Sequence, residues 1–371
     1  MKVITDLEDL KGKYVLLRSS LNIPLKDGKV RNTFRIERAL PTMRYLHERG
    51  AKTIIVAHIG REPEETLQPV YEELTKYLPV HWGGQIGSEE QLKRQEMMGN
   101  GDLLILENTR QDEGEKNNDE EFVTKLALLG EIFVNDAFAA AHREHASTFG
   151  VAQKLPAYAG LTLAEEVREL TKVMKPESPS LFLLGGAKFE TKMPLVEKYL
   201  ESYDHVFVAG ALANDVFKAQ GYEVGQSMVS DVSLTGKEFL NNPKLLLPID
   251  VVVEGPDGKR TCGVSEVKPE EKILDCGTAT VEMLATHIEK AKTVLWNGPF
   301  GAYEMGYTQS TEITARYVAA AEAFTVIGGG DTVAAVEKLE LNNLFSFVSI
   351  GGGAMLTLLE KGTTPVIDTL N

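Results

Sequence analysis

The chemistry in this chain concentrates where glycines run into polar side chains. Gly328-Gly329-Gly330-Asp331-Thr332 follows a β-branched run and precedes the amphipathic VAAVEKL. A strand that stops in glycines and starts a helix offers unpaired backbone N–H groups, and the positive end of the helix dipole, to phosphate oxygens. Asp at such a place is also a common N-cap, so Asp331 carries both a ligand reading and a structural one. Gly185-Gly186-Ala187-Lys188 and Gly351-Gly352-Gly353-Ala354 repeat the arrangement. Three such clusters in one half of the chain favour a nucleotide site over coincidental turns. Lys188 follows directly on a glycine turn, where an ammonium can neutralise a phosphoryl group in transfer. Lys192 lies one helical turn further on and shares its face; a solvated helix face is the alternative for both lysines.

A second set is basic. Arg18, Arg35, Arg61 in HIGREP, Arg110 in LENTR and Arg143 in AHREHAS all fall near strand ends or helix starts in the first half of the chain. Guanidinium groups fork onto phosphate and carboxylate, so a converging set suits a small phosphorylated acid. His58 and His142 stand close to two of these arginines and offer further hydrogen bonds.

Several classes are excluded or disfavoured. Neither GxxxxGK[ST] nor a strict GxGxxG occurs, so the P-loop and dinucleotide fingerprints are missing. A formal net charge of −15 repels a polyanion, which argues against nucleic acid as a partner. Cys262 and Cys276 lie in no CxxC pair and have no histidine at ligand spacing, and read as two buried thiols. No window approaches a membrane span and MKVITDLEDLKGK lacks a secretory apolar core, so we expect no membrane partner and a cytoplasmic protein.

The elements that must carry these residues alternate. YVLLRSSL (14–21), a helical 33–50, KTIIVAH (52–58), a helical stretch near 65–78, DLLILEN (102–108), a helical 120–130 and EIFVNDAF (131–138) have the βαβ rhythm of a parallel sheet. A helical 163–174 and a polar KPESPS lead to a second series: SLFLLGG (180–186), HVFVAG (205–210), LLLPIDVVVEG (245–255), TVLWNG (293–298), FTVIGGG (324–330) and FSFVSIGGG (345–353). At 371 residues two domains are the natural prior. The expected fold is α/β, with two Rossmann-like lobes, each a parallel sheet flanked by helices, joined by a hinge helix. The first lobe would span 1–162 with 355–371 folding back onto it, the hinge 163–175 and the second lobe 176–354.

Ordered strings along nearly the whole chain resemble the phosphoglycerate kinase family: RSSLNIP (18–24), RIERALPT (35–42), HIGR (58–61), LENTR (106–110), VNDAF (134–138), AHREHAS (141–147), GGAK (185–188), LPIDVVV (247–253), WNGPFGAYE (296–304), GGGDT (328–332) and SIGGGA (349–354). WNGP, GGGDT and AHRxHAS are specific to that family. The resemblance implies reversible Mg²⁺-dependent phosphoryl transfer between 1,3-bisphosphoglycerate with ADP and 3-phosphoglycerate with ATP, in glycolysis, by a monomer. It assigns Ser20, Asn22, Arg35, His58, Arg61, Arg110 and Arg143 to the acid, and Arg35 with Lys188 to the transferring group. Lys192 and Asn297 would meet nucleotide phosphates, Gly210 and Pro299 the adenine, and Glu304 the ribose. Gly328, Gly329, Gly330, Asp331 and Thr332 complete the nucleotide site, with Asp331 holding Mg²⁺.

The chain departs from the family pattern at several of these strings. Ser20 stands where the family has an acid, Thr191 replaces another acid between the two lysines, and alanines occupy 209 and 211 in a glycine-rich stretch. AFAAAH (137–142) and Gly277-Thr278-Ala279-Thr280 are further departures. They imply weaker binding more than a changed reaction. Two other readings stay open here: a weakened nucleotide-binding homologue, and a kinase for a different small phosphorylated acid, the latter prompted by Ser20.

Overall fold

The computed structural model describes residues 1–371 apart from Lys188, Thr235 and the side chains of Glu190 and Thr191. Alternation along the strands sets the layering of the first unit. In β1 (Tyr14–Ser19) Val15 and Leu17 enter one apolar cluster, while Leu16 enters another on the opposite face. β4 (Lys52–Val56), β6 (Leu103–Leu106) and β7 (Ile132–Asp136) divide in the same way, so both faces of the sheet are covered. This is why these strands read as continuous apolar runs: a parallel sheet with helices on both sides leaves no polar face. The short antiparallel hairpin of β2 (Leu25–Lys26) and β3 (Lys29–Val30) stands apart from it. With β5 (Val80–Gly84) and β8 (Ala157–Ala159) at its edges, the six-stranded order is β5-β6-β4-β1-β7-β8, and every pairing is parallel.

Both edge strands escaped the reading from residue types. β5 is the sequence VHWGG, interrupted by a register shift between Trp82 and Gly84, and β8 has three residues. Neither is long or β-branched enough to announce itself.

The second unit repeats the architecture with β9 (Ser180–Leu184), β10 (His205–Val208), β11 (Leu245–Leu246), β15 (Thr293–Asn297), β16 (Phe324–Gly328) and β17 (Phe347–Val348). Their order is β11-β10-β9-β15-β16-β17, again parallel throughout. LLLPIDVVVEG, expected as one strand, is two. Pro248 has no N–H to give a ladder, and the chain leaves the parallel sheet after Leu246. It resumes as β12 (Asp250–Gly255), the centre of an antiparallel sheet with β13 (Gly258–Gly263) and β14 (Lys272–Cys276). Cys262 and Cys276 both pair with Val251 from opposite sides, so the central strand lies between them; both are free and buried.

Two parallel sheets, each flanked by helices, thus give the expected α/β class. The compact units are Met1–Arg168 together with Lys361–Asn371, and Glu169–Glu360. The residue types alone place the boundaries after 162, 175 and 354. The first division falls inside the helix Leu161–Met174. Among the described residues no helix is long and apolar enough to cross a membrane.

Candidate active site

In the first unit, the carboxyl ends of β1, β4, β6 and β7 and the segments after them carry the predicted basic residues. Arg18 is fully buried at the end of β1. Its Nε donates to Ser147 Oγ at 2.8 Å, Nη1 to the Ser19 carbonyl, and Nη2 to His58 Nδ1 at 2.6 Å. Burial pulls Arg18 down to about 10, opposed by the charge of Glu115. A guanidinium only donates, so His58 accepts at Nδ1 and its ring proton sits on Nε2. Burial and then the charges of Arg18, Arg110 and Arg143 hold His58 far below the ordinary imidazole value, so it is neutral. The result is a neutral N–H donor in a cationic surrounding.

The Gly60 peptide is gripped from two sides. Asn22 Oδ1 accepts its N–H at 2.9 Å, and Arg110 Nη1 donates to its carbonyl. Gly60 has φ of +65°, a conformation that side-chain-bearing residues rarely adopt. Asn22 and Arg35 line a cleft of about 330 Å³ with Ile59, Gly60 and Glu65. Arg61 and Arg143 are exposed, and Arg143 Nε donates to His142 Nε2 at 3.2 Å. Ser20 follows β1 directly and is 7% exposed. Burial, then Arg143, holds His142 and His145 down at about 4.

Two organisers in this region were missed. Asn108 sits in LENTR, yet its role is internal: Oδ1 accepts from Ile59 and Arg110 backbone, and Nδ2 donates to Ile59 and Glu65 carbonyls. Glu115 lies in the polar stretch EGEKNND and is 0% exposed. Nothing local in the sequence marks it.

In the second unit, the glycine turns after β9, β10 and β15 come together backbone to backbone. Cβ atoms added at Gly185 and Gly298 would lie 2.1 Å from the Pro299 carbonyl oxygen and 2.3 Å from that of Gly185. Only glycine permits that approach. Gly298, at φ +94°, is fixed through both its polar groups: Trp296 Nε1 donates to its carbonyl at 2.9 Å, and its N–H donates to Thr332 Oγ1 at 2.8 Å. The WNGP and GGGDT strings are therefore one hydrogen-bonded assembly. Lys192, 7% exposed, donates from Nζ to the Gly185 carbonyl, and its ammonium lies beside Gly186 and Gly298. Asn297 is buried and faces Gly329.

Next to these turns is a cavity of about 660 Å³, of a size for a nucleoside. Gly210, Pro299, Glu304 and Asp331 line it, with Phe217, Met228, Ile273 and Ala302 giving apolar walls. Lys192, Asn297, Gly328, Gly329, Gly330 and Thr332 are not among its lining residues. Of the two alanines in place of glycine, only Ala211 reaches the cavity; Ala209 is fully buried. Asp331 is not the N-cap. That position belongs to Gly329, and Asp331 is an exposed residue of the first turn of Gly330–Lys338. Asp331 offers a hard carboxylate oxygen at this cavity, which fits Mg²⁺, an ion that takes one or two carboxylates and completes its shell with phosphates and water. Lys188 lies outside the described residues, as does the side chain of Thr191.

Comparison with known proteins gives a consistent result. The family model described as phosphoglycerate kinase matches residues 4–362. A phosphoglycerate kinase of Thermus thermophilus is 42% identical, with all of both chains covered. One of Maricaulis maris is 40% identical over 97% of this chain and 95% of its own. Among solved structures, phosphoglycerate kinase from Coxiella burnetii superposes with a TM-score of 0.82 at 36% identity, covering 99% of this chain and 97% of that one. The Pyrococcus horikoshii enzyme gives 0.87 at 29% identity, covering 100% and 98%.

Proposed function

Because this chain belongs to the phosphoglycerate kinase family, we propose that it transfers a phosphoryl group between ATP and the carboxylate of 3-phosphoglycerate, reversibly and in glycolysis. The observation that carries this reading is the pair of half-sites: a cationic acid site with a neutral His58 donor, and glycine turns beside a nucleoside-sized cavity. In one direction a carboxylate oxygen attacks the γ-phosphorus as the bond to the β–γ bridging oxygen breaks, giving the acyl phosphate and ADP.

Such transfer needs positioning and charge neutralisation, with no covalent intermediate on the protein. Arg110, Asn22 and His58 orient the acid from the Gly60 turn, with Ser20, Arg35, Arg61 and Arg143 around it. Lys192, the N–H groups at Gly328, Gly329 and Gly330, and Asn297 receive nucleotide phosphates. Thr332 acts by holding the Gly298 turn in shape. Gly210 and Pro299 border the base and Glu304 meets the ribose. We assign Lys188 and Arg35 to the transferring phosphoryl, and Asp331 to Mg²⁺, which supplies positive charge to the phosphate oxygens when bound.

We read the enzyme as a cytoplasmic monomer whose helix Leu161–Met174 provides a hinge. Small-angle scattering should report compaction when both ligands are present, and unchanged profiles would remove the hinge. The activity is tested by ATP consumption with Mg²⁺ and 3-phosphoglycerate, coupled to reduction of the acyl phosphate. Turnover that falls at least about 100-fold in Lys188→Ala is expected. Folded wild-type protein that binds MgADP without turnover would sink the reading.

A further inference from the structure

We infer that Glu115, acting through Ser147, is a positioning residue of the acid site: it orients the Arg18 guanidinium and so decides which nitrogen of His58 faces the ligand. This rests on the phosphoryl-transfer reading above. Glu115, Ser147 and Arg18 are each no more than 1% exposed. Glu115 takes the Ser147 N–H at 3.0 Å and its hydroxyl at 2.6 Å. A hydroxyl has one hydrogen, so with that spent on the carboxylate its lone pairs face the Arg18 Nε–H. The two terminal nitrogens of Arg18 are thereby directed to Ser19 and His58.

The arrangement compensates a buried cation without a direct ion pair. A carboxylate bonded straight to Arg18 would compete for the nitrogen that now holds His58. His145 Nδ1 stands 3.9 Å from Glu115 but is held neutral; the Glu115 charge is felt by Arg110 as well as Arg18, and Arg18 is the one joined to it by hydrogen bonds through Ser147. By Coulomb's law alone a buried carboxylate behind an anion site weakens anion binding. The two roles therefore predict opposite signs when the charge is removed, and that makes the assignment testable.

The experiment is steady-state kinetics of Glu115→Gln and Ser147→Ala with 3-phosphoglycerate and MgATP, beside ¹⁵N-histidine spectra of His58. Loss of a hydrogen bond to a charged group corresponds to a rise of about 10-fold or more in KM for the acid. Both variants are expected to show it, with the KM for nucleotide within about twofold of wild type and the His58 ring changing from a single Nε2–H tautomer to a mixture. A fall in acid KM in Glu115→Gln, or no change in Ser147→Ala, would overturn the inference. So would a parallel rise in both KM values, which marks a general loosening. If Glu115→Gln does not fold, Ser147→Ala decides. A wild-type protein without turnover would defeat the phosphoryl-transfer reading, and the tautomer of His58 in the variants would still settle the relay.

Discussion

Gly298 illustrates how single residues carry the nucleotide site. Its left-handed backbone is stable because Trp296 and Thr332 each take one of its polar groups. Thr332→Val keeps the shape of the side chain and removes the acceptor, leaving a buried N–H unpaired, which costs about 1–3 kcal/mol. Urea denaturation should register that loss, and calorimetric titration should show weaker MgADP binding; unchanged affinity would detach Thr332 from the site. The sequence made Thr332 visible as part of GGGDT but suggested a ligand contact. The bond it makes is to a residue 34 positions away, and no local pattern encodes such a partner. The same holds for Glu115, whose importance comes only from burial against Ser147.

At the level of elements, the strands were legible wherever burial on both faces made them apolar, as in β1, β4, β6, β7, β9, β15 and β16. The edge strands β5 and β8 and the break at Pro248 were not, because register and edge pairing depend on neighbours that the segment itself does not contain. How the helix Leu161–Met174 begins was equally hidden. Asp136, at the end of β7, accepts the Leu163 N–H at 3.0 Å, and Thr42 Oγ1 accepts that of Leu161 at 2.9 Å. Burial raises Asp136 from 3.8 to about 6. The folded chain thus keeps a proton that the unfolded chain releases near 3.8, so the contribution of this group is fully present below that pH and is lost as pH rises through about 6. His142 and His145 run the other way, their contribution being in place above 6.5 and lost as pH falls toward about 4. Asp136→Asn removes the first dependence only. Denaturation curves at pH 4.5 and pH 8 should show the variant gaining on the wild type at pH 8, by about 2 kcal/mol. An equal difference at both pH values would mean that Asp136 does not titrate in this window.

Over the whole molecule, the first unit is assembled from both ends of the chain. The Lys2 N–H donates to the Leu370 carbonyl at 2.7 Å, and the Val366 N–H to that of Ala141 at 3.3 Å. Val366 and Leu370 are buried. The last segment thus packs beside the loop that carries His142 and Arg143. Deleting residues 362–371 should raise the KM for the acid several-fold and lower the unfolding temperature, while MgADP affinity persists. An unaltered acid KM would show that the segment braces nothing in the site. The split also orders events during synthesis. The segment Glu169–Glu360 is contiguous and occupies the ribosome for roughly 10–40 s at about 5–20 residues per second. For that interval the emerged first half waits without its closing strip, so the half made second is the first that can be finished.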